Sequence, residues 1–459
     1  MSLWESIDAA NRGRGAEEDG DVEATSVRGA AAEGSDLLRA TSDGFERSSK
    51  RTRCPTSCEE AYNRVFLYGR LHPGRFLCAA VAFAVCLAVV VALAFFADDP
   101  SINPSCDLRL SDSPSLTVKH RTVGTMCFSH ADKYQDSVAH PISDQALSFV
   151  AVGDWGRDGL CCQVDTATEM AAAAEKTKSA AVLNLGDNFY PFGLDNSSDA
   201  QVETSYQNVY LKPFAGTYFA DLKWYGVLGN HDYRGTIAAQ TALSEDAAAG
   251  MEKFVLPASR YYDRKFDGSL ADGTKISVNV WFVDTTPLVP KYYKDSKMMS
   301  SPDGLPEYEK NKDANIAKQM DWLRRGLGSS NAEYKVVVGH HTIYTSGHHT
   351  NEDGGNMERL LRPVMEQGGV IAYICGHDHD LQHLTGPMYE GELSTVQYFV
   401  SGAGSKTRPI VALDKSQGAV YGEGRPGFMF FSFGREKMRV QVIDGKGASR
   451  YVVDVPRKK

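Results

Sequence analysis

No internal repeat recurs along the 459 residues, and after residue 97 no apolar run is long enough to cross a bilayer. The first 50 residues lack apolar runs almost entirely; stretches such as GAEEDGDVEATS are glycine, alanine, serine and acid without a period, which excludes a packed core there and reads as disorder. Beyond residue 97 no basic, aromatic-interleaved patch occurs, and with a formal charge of -9 this argues against a nucleic-acid partner. Cys54 and Cys58 have no second pair and no nearby histidine, so a zinc-finger reading has little to stand on.

One long apolar run is present. Phe76 to Phe96, FLCAAVAFAVCLAVVVALAFF, is 21 residues without a charge, enough to span a hydrocarbon core of roughly 30 Å. It is too long, and begins too far into the chain, for a secretory signal peptide. Arg47, Lys50, Arg51, Arg53, Arg64, Arg70 and Arg75 precede it, whereas Asp98 and Asp99 follow it. Positive charge stays cytosolic. The chain therefore reads as a single-pass type II membrane protein, anchored through residues 76–97 as by a signal anchor, with a cytosolic tail (1–75), a lumenal stalk (98–145) and one domain (146–459) in the secretory or lysosomal lumen or outside the cell. In that compartment Cys106–Cys127 is the expected disulfide, Asn196-Ser197-Ser198 is a glycosylation sequon, and Cys375 reads as a buried thiol.

The large domain alternates short apolar runs with helical stretches, which indicates an α/β fold. Strands are expected at LSFVAV, AVLNL, KWYGVL, KISVNVWFVD, YKVVV, VIAYIC and VQYFV, with helices over TATEMAAAAEKTK, from Gln201 to Phe214, and over IAKQMDWLRRGL and MERLLRPVMEQ. Five of the strands break at glycine into polar residues: Gly153 (GDWG), Gly186 (GDNFY), Gly229 (GNHD), Gly339 (GHHT) and Gly376 (GHDHD). Loops beyond the carboxyl ends of strands in such a sheet can converge on one site. They carry Asp154, Asp187, Tyr190, Asn230, His340, His377 and His379. Oxygen donors with imidazoles suit iron, manganese or zinc, and seven donors exceed one four-coordinate ion but fit two sharing a carboxylate.

GDWG, GDNFY, GNHD, GHH and GHDH, in that order, resemble the motif set of the purple acid phosphatases, in particular the small tartrate-resistant ones, within the calcineurin-like metallophosphoesterases. The resemblance covers Leu147 to Ile443, including SGAG at Ser401 to Gly404. The serine/threonine protein phosphatases are the nearest alternative, but they would show Asp-x-His in the first motif and Arg-Gly after the second, where this chain has DWG and NFY. The resemblance implies a β-sandwich of mixed sheets flanked by helices. It implies a binuclear centre in which Asp154, Tyr190 and His379 hold Fe(III), Asn230, His340 and His377 hold Fe(II), Zn(II) or Mn(II), and Asp187 bridges. It implies acid hydrolysis of phosphate monoesters by hydroxide generated at the metals. His231 and His349 take the substrate-facing roles, His348 beside the latter leaving that choice open, and Asp232 orients a neighbour. The charged insert from Thr285 to about Lys312 reads as an active-site lid or as a solvated loop. A rival function is a membrane anchor or scaffold that keeps the fold and holds a cytosolic partner through its tail; a phosphodiesterase is a further alternative within the superfamily.

Overall fold

The computed structural model describes residues 139–243, 251–301, 303–349, 354–388 and 394–458. The tail, the apolar segment 76–97 and the Cys106–Cys127 pairing lie outside the described residues. Among the described residues no helix is long and apolar enough to cross a membrane.

Two seven-stranded mixed sheets form the domain. The first runs, edge to edge, Phe254–Val255 (β4), Trp224–Gly226 (β3), Ala181–Asn184 (β2), Leu147–Val152 (β1), Gly427–Phe433 (β12), Lys437–Asp444 (β13) and Ser449–Pro456 (β14). The second runs Tyr262–Ser269 (β5), Lys275–Phe282 (β6), Tyr334–Val338 (β7), Ala372–Cys375 (β8), Gln397–Ser401 (β10), Leu381–Leu384 (β9) and Ala419–Glu423 (β11). Within them β1, β2 and β3 are parallel neighbours, as are β6, β7 and β8.

Period-two alternation explains why these runs are apolar throughout. Phe149, Leu183, Val280, Phe282, Val336, Val338, Ile374, Phe399 and Phe431 form one buried cluster, and Val150, Val152, Val182, Trp281, Val337 and Tyr373 belong to a second. That second cluster takes in the helices: Met170 and Ala171 of α1 (Gln163–Thr177), Leu323 and Leu327 of α2 (Lys312–Ser329), and Met357 and Leu361 of α3 (Gly354–Gln367). A strand covered on both faces has no polar side to show.

One expected boundary shifts, and one open reading narrows. The stalk does not reach residue 145: Ala139 and Ile142 are buried, the backbone of His140 and Ile142 donates to Gln441 and Ser432, and Asp144 accepts from the Arg435 N–H. Those residues belong to the domain, because apolar side chains there find a wall to cover. The insert 285–312 is more than a solvated loop: Leu288, Val289, Tyr292, Met298 and Leu305 are buried, so it packs against the domain as a wall. Cys375 is a buried free thiol, and Cys161 is disulfide-bonded.

Candidate metal centre

Each of the five glycine breaks follows a parallel strand, so the loops emerge at the same end of the two sheets and are stitched together by backbone bonds. Asp154 N–H donates to Gly186 O at 3.0 Å and Gly376 N–H to His340 O at 3.0 Å. Close approach requires the absent side chains. A Cβ on Gly229 would stand 2.1 Å from Asp187 Oδ1, and one on Gly376 would stand 2.4 Å from Asp154 Oδ2. Asp154, Asp187 and His377 themselves have φ of 60, 50 and 71°, a left-handed backbone costing about 1–2 kcal/mol each. Strain of this kind concentrates where a site needs it.

The structure gathers all seven expected donors, and they fall into two poles. At one, the Tyr190 hydroxyl lies 2.8 Å from Asp154 Oδ1 and 3.1 Å from His379 Nε2. At the other, Asn230 Oδ1 lies 2.9 Å from His377 Nδ1 and 3.2 Å from His340 Nε2. Asp187 stands between them, with Oδ2 2.9 Å from the Tyr190 hydroxyl and Oδ1 3.5 Å from His340 Nε2. The two imidazoles of the His-x-His turn thus serve different poles.

These donors fit cations. Tyr190 has one proton for two carboxylates, and burial with Asp154 and Asp187 pushes its phenol well above the ordinary tyrosine value. His340 has committed its Nδ1–H to Leu185 O at 2.8 Å, which leaves the Nε2 lone pair facing the oxygens of Asn230 and Asp187. Burial disfavours a charged His340, yet Asp187 and Asp154 outweigh it and draw a proton on. The cluster attracts positive charge, and ions with open positions would supply it.

Around the centre lies a cavity of about 570 Å³, walled by His231, His349, Arg157, Arg234, Lys291, Tyr292, Lys294, Asp295, Lys406 and Arg408. His231 donates its Nδ1–H to Pro191 O at 2.6 Å, which leaves Nε2, 4.0 Å from Asp187 Oδ2. Burial, offset only in part by Asp187 and reinforced by Arg234, pushes the His231 pKa down to about 4. Asp232 does not face the cavity. Its buried carboxylate accepts from the backbone of Gly229 (2.8 Å) and Asn188 (3.0 Å) and from Gln240 (2.8 Å), which pins two donor loops from behind. His348 lines a separate cavity of about 730 Å³ with Arg408 and Val411.

A family model described as calcineurin-like phosphoesterase matches residues 147–381. The chain belongs to that family. Purple acid phosphatase 17 of Arabidopsis thaliana is 36% identical over 58% of this chain and 70% of its own length. Purple acid phosphatase 4 of the same plant is 30% identical over 77% of this chain and 92% of its own. Tartrate-resistant acid phosphatase type 5 of Homo sapiens is 30% identical over 68% and 92%. Among solved structures, GAP50 of Plasmodium, described as the anchor in the inner membrane complex, superposes with a TM-score of 0.56 at 20% identity over 69% of this chain and 90% of that one, which shows a shared fold.

This phosphoesterase carries functional features that its motifs did not announce. His341 sits beside His340 and His377 within metal-binding reach, but both its ring nitrogens are taken, by Thr285 Oγ1 at 2.8 Å and the Tyr292 hydroxyl at 2.9 Å. It fastens the insert to the site. The Arg157 guanidinium lies 3.6 Å from the centroid of the Tyr190 ring, and with Arg408 it surrounds the cavity with charge. Isolated arginines in loops give no periodic or spacing signal; only the fold assembles them.

Proposed function

We propose that this phosphatase is a membrane-anchored acid phosphatase that hydrolyses phosphate monoesters at a binuclear centre, held in the lumen or outside the cell by residues 76–97. Asp154, Tyr190 and His379 would hold Fe(III), Asn230, His340 and His377 a divalent iron, zinc or manganese ion, and Asp187 both. One observation carries this reading: Asp187 turns its two oxygens to two separate donor sets, one of which contains a phenol. When bound, the two cations supply charge neutralisation for the phosphoryl group and acidify water, which is how such hydrolysis is accelerated.

The chain's own residues do the rest. Arg157, Arg234, Lys294 and Arg408 draw a dianionic ester into the cavity. His231, fixed by Pro191 O, presents Nε2 beside the centre; its ring is neutral in the free protein above about pH 4, and a bound phosphate's negative charge draws a proton onto it. That proton is then held for the departing alkoxide. Asn196 is exposed, as a glycan acceptor must be.

The test is an assay of the full chain in detergent, loaded with iron and a divalent metal, on an aryl phosphate between pH 4 and 8. An acidic optimum is expected. Asp187→Ala should lose metal and activity together, and His231→Ala should keep metal and lose about 10²-fold in rate. Metal-loaded wild-type protein that turns over no phosphate ester would overturn the enzyme reading and leave the anchor or scaffold role, with the cytosolic tail as the place to look for a partner.

A further inference from the structure

Between the two imidazoles of the His377–His379 turn stands Asp378, whose carboxylate is buried and bonded to the segment 345–349. Its Oδ1 accepts the backbone N–H of His349 at 3.0 Å and stands 3.3 Å from that residue's Nδ1, an ion-pair separation rather than an aligned hydrogen bond. Its Oδ2 accepts from the Thr345 hydroxyl, and the Thr345 oxygen in turn accepts from Gly347 N–H (2.8 Å) and Gln382 Nε2 (2.8 Å). The segment from Thr345 to His349 is thereby folded over this one side chain. Gly347 makes that possible, because a Cβ there would stand 2.6 Å from Asp378 Cγ and 2.5 Å from Asp380 Oδ2.

A second contact fixes the same ring. His349 stacks on His377, centroids 4.1 Å apart and planes 27° from parallel. With a carboxylate 3.3 Å from Nδ1 and a metal-competent imidazole on one face, His349 has Nε2 left for a ligand in the main cavity, which it lines. His348, one position earlier, lines the neighbouring cavity instead.

We infer that Asp378 is a positioning residue for the phosphoesterase reaction: it sets the orientation and tautomer of His349, so that the turn supplying one histidine to each pole also aims the histidine that meets the phosphate. A carboxylate on the far nitrogen of a functional imidazole does this by fixing which nitrogen carries the proton. The inference rests on the phosphatase reading of the site. It also explains why GHDH places an acid between its histidines, since a side chain without an acceptor oxygen would leave the His349 loop without its fastening.

The test is a double-mutant cycle on full-length, metal-loaded protein, with metal content measured beside kcat and KM for aryl phosphates of graded leaving-group acidity. Asp378→Ala and His349→Ala should each keep both metals and lose about 10- to 100-fold in kcat/KM. The double variant should be no worse than either single one. Asp378→Asn, which still offers an oxygen to Nδ1–H, should recover much of the loss. Additive losses, or loss of metal in Asp378→Ala that Asp378→Asn does not restore, would overturn the assignment. If Asp378→Ala does not fold, Gly347→Ala pushes the loop off an intact carboxylate, and its effect must again be non-additive with His349→Ala or the inference is wrong. Should wild-type protein hydrolyse no ester, the phosphatase reading fails on its own, and the same cycle run on binding of inorganic phosphate decides whether Asp378 places His349.

Discussion

Asp187 and Tyr190, three positions apart in the chain, meet through Oδ2 and the phenolic oxygen at 2.9 Å. Asp187 has a φ of 50°, and its Oδ1, which accepts the His231 N–H at 2.7 Å, faces the opposite set of donors. One short turn therefore serves both poles, which is the reason to expect that its two side chains respond differently to mutation.

In iron-loaded protein, Tyr190→Phe should abolish a visible phenolate-to-iron absorption band while retaining part of the activity, because Asp187 still spans the site. Spectra and iron content read side by side decide it. A colourless wild type that binds iron would remove Tyr190 from the donor set.

Gly229→Ala should behave like loss of Asp187. Its Cβ would stand 2.1 Å from Asp187 Oδ1 and 2.3 Å from Asp187 N, so the loops must part. We expect loss of metal and an activity fall of at least about 10²-fold, with circular dichroism near that of wild type. A Gly229→Ala protein that keeps its metals would show that the loops have slack.

The strands and the donor set were legible because each is written locally. LSFVAV, YKVVV and VIAYIC are apolar on both faces since both faces are covered, and a glycine followed by Asp, Asn or His marks each strand end. All seven donors expected from those breaks come together in space, and the purple acid phosphatase resemblance agrees with the relatives found. Strand β5, YDRKFDGS, and the edge strand β14, SRYVVDVP, carry mixed, half-exposed side chains and so give no such signal. Asp378 escapes a reading of the motif because a carboxylate between two metal-competent histidines looks like part of the turn, and its partner Thr345 is 33 positions away. The insert misleads for a related reason: its lysines and serines hide Leu288, Tyr292 and Met298, whose burial depends on His341 and the walls around it.

Because the Tyr292 hydroxyl, in the cavity wall, bonds His341 Nε2 at 2.9 Å, Tyr292→Phe should loosen the wall without emptying it. Loss of that buried bond should cost about 1–2 kcal/mol of stability and raise KM more than it lowers kcat. Limited proteolysis should cut faster within 290–300. An unchanged KM with normal proteolysis would make the tether incidental.

Six basic side chains line the cavity, and of the carboxylates there Asp295 is already paired with Arg234 at 3.5 Å. Capture of an anionic ester should therefore weaken with salt. Between about 0.01 M and 0.5 M salt, screening shortens from roughly 30 Å to a few ångströms, so KM should rise several-fold with kcat nearly constant. Lys294→Ala should raise KM at low salt and flatten the salt dependence. A salt-independent KM would mean that substrate is gripped by the centre alone.

The last expectation concerns stability rather than rate. Asp284 is buried behind the insert, where it accepts from the Tyr233 hydroxyl, with Arg260 close to the same hydroxyl at 3.4 Å. Burial raises its pKa to about 6, against which Arg260 and the Tyr233 bond act only in part. An acid whose folded pKa exceeds its unfolded value of 3.8 binds more protons when folded, so its contribution favours the folded state as pH falls from above 6 toward 4. At about 1.4 kcal/mol per unit, the gain is on the order of 2–3 kcal/mol between pH 7 and pH 4. His231, whose lowered pKa disfavours the folded state as pH falls, acts the other way, so the Asp284 contribution is read as the difference between wild type and an Asp284 variant at pH 5 and at pH 7.5. Asp284→Asn, which cannot titrate, should be more stable than wild type at pH 7.5, and that advantage should shrink as pH falls toward 4. An Asp284→Asn protein with the wild-type slope would place the pH response elsewhere in the fold.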